Sequence, residues 1–223
     1  MTGGAGRRAA AGRGANPWPA AEDVPTTAWD VAEEAHTILG YAGERVARGL
    51  SVAERERVER RFGFRFATVH RAFLAIGLPV GPLWPNWRAR SLTSVAAAVA
   101  APVDGVVADV LQHDFWPARW GPRPDDDDAR EAVARAELAR VPVLVPFYGR
   151  QYLPARARSP HAPVLAVYRT EVVELGDLRS VVDAATSSVD PSRVRQRLPR
   201  VRFWSDVADV VTASAQGRGI LSP

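Results

Sequence analysis

The chain contains no cysteine and no lysine. Without cysteine there is no disulfide, thiol nucleophile, thiolate zinc site or iron–sulfur cluster. Without lysine there is no Schiff-base chemistry and no phosphate-loop lysine. Histidine is scarce: His36, His70, His113 and His161 lie far apart and form no metal-ligand spacing. Long apolar runs are also missing. The longest weakly polar stretch, Val95 to Pro102, falls short of the ~18 residues that a membrane helix needs. No Gly-x-Ser-x-Gly nucleophile elbow occurs. These absences remove many enzyme classes, and the chain reads as non-catalytic, with no cofactor and no metal.

What remains is a soluble-type composition, 47% apolar and 24% charged over 223 residues, enough for one domain with a single core. The 29 basic residues are all arginine, so the net charge of +4 survives to very high pH. Most of that charge belongs to Arg7, Arg8 and Arg13 in a Gly/Ala/Arg/Pro-rich segment, and the remainder is close to neutral. Residues 1–25 read as a disordered tail. The twin arginine Arg7-Arg8 would need a following apolar stretch of roughly 7–15 residues to act as an export signal. Gly12, Arg13, Gly14 and Pro17 break that stretch, so the expected location is the cytoplasm.

Helix signals come first along the chain. Thr26 or Thr27 opens a helix to about Leu39, which Gly40 and Gly43 end. Ser51-Val52-Ala53-Glu54 is a capping box that starts a second helix, stopped by Gly63, with Val52, Val58 and Phe62 inward. Thr68–Ile76 reads as a third, and the Gly77–Pro82 stretch as loop because two prolines punctuate it. Ser91–Ala100 is a weak helix, and Gly105–Leu111, with Val106, Val107 and Val110, reads as a strand. Asp125–Asp128 precede a helix over 129–140. Val143–Val145 and Val164–Tyr168 read as strands joined by a loop around Tyr152, and 171–175 as an antiparallel edge strand. Helices follow over 177–185 and from Ser205 to Thr212. The fold class is α+β: one domain over 26–213, a central, mostly antiparallel sheet flanked by helices, and a loose tail over 214–223.

Several blocks occur in an order that resembles the SUKH superfamily of bacterial immunity proteins and fungal cell-wall regulators. Ser51-Val52-Ala53-Glu54 through Arg61-Phe62-Gly63-Phe64-Arg65-Phe66 is similar to its opening helix and short strand. Leu78-Pro79-Val80-Gly81 with Pro85-Asn86-Trp87-Arg88 resembles its next turn, and Phe115-Trp116 with Trp120-Gly121-Pro122-Arg123-Pro124 its aromatic block. Val143 to Pro146, Tyr148-Gly149, Tyr152-Leu153-Pro154, Pro163 to Tyr168 with Thr170, and Phe203-Trp204-Ser205-Asp206 follow in order. The resemblance covers residues 44–210. Ala67-Thr68, Asn86 and Arg150-Gln151 depart from the usual pattern, as does 171–175, which lacks an aromatic pair. The resemblance implies a binding scaffold for a protein partner, either a toxin or a regulated target, and carries over no catalytic residue.

Trp, Tyr and Arg dominate binding hot spots. Trp84, Trp87, Arg88, Trp120, Arg150 and Tyr152 are therefore the candidate partner-binding residues; the proline neighbours of Trp84, Trp87 and Tyr152 place these three near the surface. The alternative is nucleic-acid binding through Arg193, Arg195, Arg197, Arg200 and Arg202, five arginines within ten residues that are able to meet several phosphates. An acid–base reading would have to join Asp109, His113 and His161. The Asp125–Asp128 run reads as helix capping, because it lacks the glycine turn and distal glutamate of a calcium loop.

Overall fold

A computed structural model describes residues 25–187 and 198–218. The fold is α+β. Four strands, β3 (Leu144–Tyr148), β4 (Gln151–Pro154), β5 (Pro163–Tyr168) and β6 (Glu171–Asp177), form an antiparallel meander in sequence order. Its prolines stand where a missing amide is tolerated: Pro146 on the edge strand β3, Pro154 and Pro163 at strand ends.

Because side chains alternate across a strand, the register decides which layer each residue feeds. Val145 opposes Leu153, and both enter one core; Tyr152 opposes Leu165, and Val167 opposes Val172, all in the other. The first core is closed by α1 (Thr26–Tyr41), α3 (Thr68–Ile76) and α6 (Leu178–Ser187), with Val58 from α2 (Val52–Phe62). The second is closed by α4 (Thr93–Gln112), a 3-10 turn at Ala118–Trp120, α5 (Asp127–Leu138) and α7 (Trp204–Arg218). The sheet is thus the middle of three layers, apolar on both faces.

The α2 capping box is present: Glu54 N donates to Ser51 Oγ at 3.2 Å and Ser51 N to Glu54 Oε2 at 2.7 Å. Gly63 ends that helix at φ 70°. Val52, expected inward, is exposed. Asp126 caps α5 through Ala129 N at 2.8 Å.

Four expectations are corrected. Gly77–Pro79 is a short strand, β2, paired antiparallel with β1 (Val46–Arg48). Gln151–Pro154 is a strand and not a loop. The strand expected at 105–111 is the second half of α4, which runs continuously through Pro102. Val106, Val107 and Val110 are spaced for one helical face and fill the second core. Finally, α7 continues to Arg218, past the end expected near Thr212. By length and composition alone α4 is apolar enough to cross a membrane; it packs on α5 and β3 and carries Asp104, paired with Arg135 at 3.1 Å.

Candidate functional site: an aromatic edge

The candidate partner-binding residues part company in the structure. Trp87, expected near the surface, is 1% exposed, because its ring meets Phe64, Phe66 and His70 edge-on inside the first core. Tyr152, also expected outside, is buried in the second core by its place on the central strand β4. Trp120 is buried at the rim of that core, stacked on Phe203 at 6.1 Å. Arg88 is half-buried and committed. Its Nε donates to Glu54 Oε1 at 2.7 Å, and its guanidinium also bonds the Arg48 and Gly49 carbonyls. That hydrogen bond, chiefly, holds the Glu54 carboxyl down to about 2. Arg88 therefore rivets the 85–88 turn to β1 and the start of α2.

Trp84 and Arg150 remain available, and the fold joins them. The Trp84 ring packs on Tyr148 with centroids 4.7 Å apart. Gly149, at φ 55°, donates its amide to the Leu83 carbonyl at 2.7 Å, which clips the 81–84 turn to the β3–β4 turn. One residue on, the Arg150 guanidinium lies over the Tyr168 ring, 4.4 Å from its centroid. Leu83 and Tyr168 are about half exposed, and Trp84 and Tyr148 are partly so. Leu83, Trp84, Tyr148, Arg150 and Tyr168 thus gather as two pairs, Trp84–Tyr148 and Arg150–Tyr168, on three turns that the Gly149–Leu83 and Val167–Arg150 backbone bonds tie together. Leu83 carries no signal in sequence, and Tyr168, an aromatic candidate by residue type, comes to lie beside Arg150 only through the meander register.

No protein-family model, curated protein or solved structure matches the chain.

The other candidate groups serve the fold. Asp109 is buried and accepts from Thr170 N (3.0 Å) and Thr170 Oγ1 (2.6 Å), and pairs with Arg169 Nε (2.9 Å) and His113 Nδ1 (3.1 Å). One turn earlier, a Cβ on Gly105 would lie 2.9 Å from Arg169 Cα, so only glycine lets α4 approach the β5–β6 turn that Asp109 clamps. His161 instead pairs with Asp177 at 2.8 Å, and Asp177 also takes the Ser180 amide and hydroxyl at the start of α6. Asp109, His113 and His161 therefore do not form one set. Among the described residues no three His, Asp or Glu side chains gather as metal ligands.

In the arginine-rich segment, Arg193, Arg195 and Arg197 lie outside the described residues. Arg200 is paired with Asp206 at 2.8 Å and Asp209 at 2.9 Å, and Asp206 also holds Arg119 at 2.8 Å. Arg202 is exposed.

Proposed function

We propose that the chain is a cytoplasmic, non-catalytic interaction module of the SUKH type, an immunity protein or regulator that acts by covering a protein partner. The observation that carries the reading is the Leu83–Trp84–Tyr148–Arg150–Tyr168 edge. It unites a half-exposed leucine, three rings and a ring-stacked guanidinium, the composition of an interface hot spot. The order of sequence blocks that resemble SUKH proteins supports the same reading. Arg150, one of the departures from that pattern, lies in the middle of the edge, so its partner is expected to differ from those of other members.

Affinity capture of the native partner at ~0.15 M salt with nuclease, repeated with Arg150→Ala/Tyr168→Ala, tests this. A stoichiometric protein partner lost from the double variant, with an unchanged melting temperature, is the expected result. Equal retention by wild type and variant would sink the surface assignment.

A further inference from the structure

A second feature lies apart from the aromatic edge, at the N-terminal end of α3. A cleft of about 770 Å³ is lined by Pro25, Phe66, Thr68 and Ala157 and by four arginines, Arg65, Arg71, Arg156 and Arg158. No carboxylate is among these lining residues. The arginines come from two segments that the backbone clips together. Arg156 N donates to Arg65 O and Thr68 N to Ala157 O, each at 2.9 Å, and Thr68 Oγ1 bonds Arg158 O at 3.0 Å.

Arg65, Arg156 and Arg158 are exposed and pair with no described carboxylate, whereas Arg119, Arg135, Arg140 and Arg179 elsewhere on the surface are each tied to an acid. Arg156 stands at φ 61°, a left-handed conformation that glycine adopts freely and that costs a side-chain-bearing residue about 1 kcal/mol or more. Arg71 is mostly covered, with Nε 3.9 Å from Glu59 Oε1. Behind it Arg55 is buried; burial, and then the charge of Arg71, pull its guanidinium down to about 10, so it stays cationic at neutral pH. Ala67, the residue before α3, offers no side-chain cap, and the positive end of the helix dipole adds to the same field.

We propose that this cleft binds a small phosphate-bearing anion. Several planar guanidinium forks around one cavity suit a centre that presents three or four oxygens and two charges, which a carboxylate does not. The cleft volume falls within the range of small-ligand sites. The site shares no residue with the aromatic edge and stands or falls separately from it.

Calorimetric titration of the full chain with pyrophosphate, inorganic phosphate, ATP and citrate at ~0.15 M salt tests the proposal. Saturable 1:1 binding of at least one phosphate compound, tighter than citrate, is expected. Arg65→Gln and Arg158→Gln should each weaken it about 10-fold to 100-fold, the effect of one lost charged hydrogen bond. Arg140→Gln, at an exposed arginine beyond the end of α5 paired with Glu137, should leave it unchanged. ATP tighter than pyrophosphate points to a nucleotide, and equal affinity to free phosphates; either order supports the site. The proposal is overturned by the absence of saturable heat, by citrate binding more tightly, or by equal affinity in the Arg158→Gln and Arg140→Gln proteins while both retain the wild-type circular dichroism melt.

Discussion

His70 is 1% exposed among the rings of Phe66, Trp87 and Phe147, and its Nδ1 has no hydrogen-bond partner among the described residues. Burial pushes its pKa down to about 3. The unfolded imidazole takes up a proton near 6.5, the folded one only near 3, so stability is full above 6.5 and falls as pH drops towards 3. The slope is up to about 1.4 kcal/mol per pH unit. His36, depressed by burial against its bond to the Phe73 carbonyl, acts in the same direction. Urea midpoints of wild type and His70→Phe at pH 7 and pH 5 check this. The variant should lose less on acidification, and an identical loss would assign the acid sensitivity elsewhere. Ring position separates structure from recognition in the same way. Trp87→Ala should cost about 3–5 kcal/mol by opening a cavity, whereas Tyr168→Ala should shift the melt little. A Trp87→Ala protein that melts like wild type would contradict its burial.

At the scale of elements, backbone contact matters most where β1 meets α3. A Cβ on Gly49 would sit 1.8 Å from the Ala75 carbonyl oxygen, while Leu50 N bonds Leu74 O at 2.7 Å. Backbone cannot swing aside like a side chain, so Gly49→Ala should destabilise by about 1–3 kcal/mol or more. A thermal melt within a degree of wild type would show that β1 moves freely. The same scale explains what the sequence disclosed. α2 was legible because its capping box and Gly63 act within a few residues, and β5 and β6 because β-branched runs mark them. α4 was not, because its first half read as a weak helix ending at Ala100 and Gly105–Leu111, with Val106, Val107 and Val110, as a strand. Their meaning lies in tertiary contact: Gly105 accommodates the β5–β6 turn, and the three valines fill the second core. β4 is four residues long, and β2 three, too short for a period to show. In the candidate site, Trp84 and Arg150 were legible as residue types, but Leu83 joins them only through the Gly149 clip and Tyr168 only through its ring contact with Arg150. Trp87 and Tyr152 read as surface because prolines flank them, yet ring packing and a central strand draw them inside.

For the whole molecule, the shared sheet couples the two cores: β3, β4 and β5 each send neighbouring residues to opposite layers. Neither core can melt while the other keeps its strands, so unfolding should be one cooperative event. Tryptophans report on both layers, Trp84 and Trp87 in one, Trp116, Trp120 and Trp204 in the other. Fluorescence and far-ultraviolet circular dichroism should therefore give coincident urea transitions; two separated midpoints would show that the layers are independent. The placement of α1 has a further consequence during synthesis. Its buried stripe, Ala28, Trp29, Val31, Ala32, Ala35 and Leu39, packs on both α3 and α6, but Leu178–Ser187 is translated long after Thr26–Tyr41. At elongation rates of about 5–20 residues per second that gap is on the order of ten seconds. Throughout it, the nascent chain presents α1 as a half-covered greasy helix, so a helix made well before α6 is among the last to be fully housed.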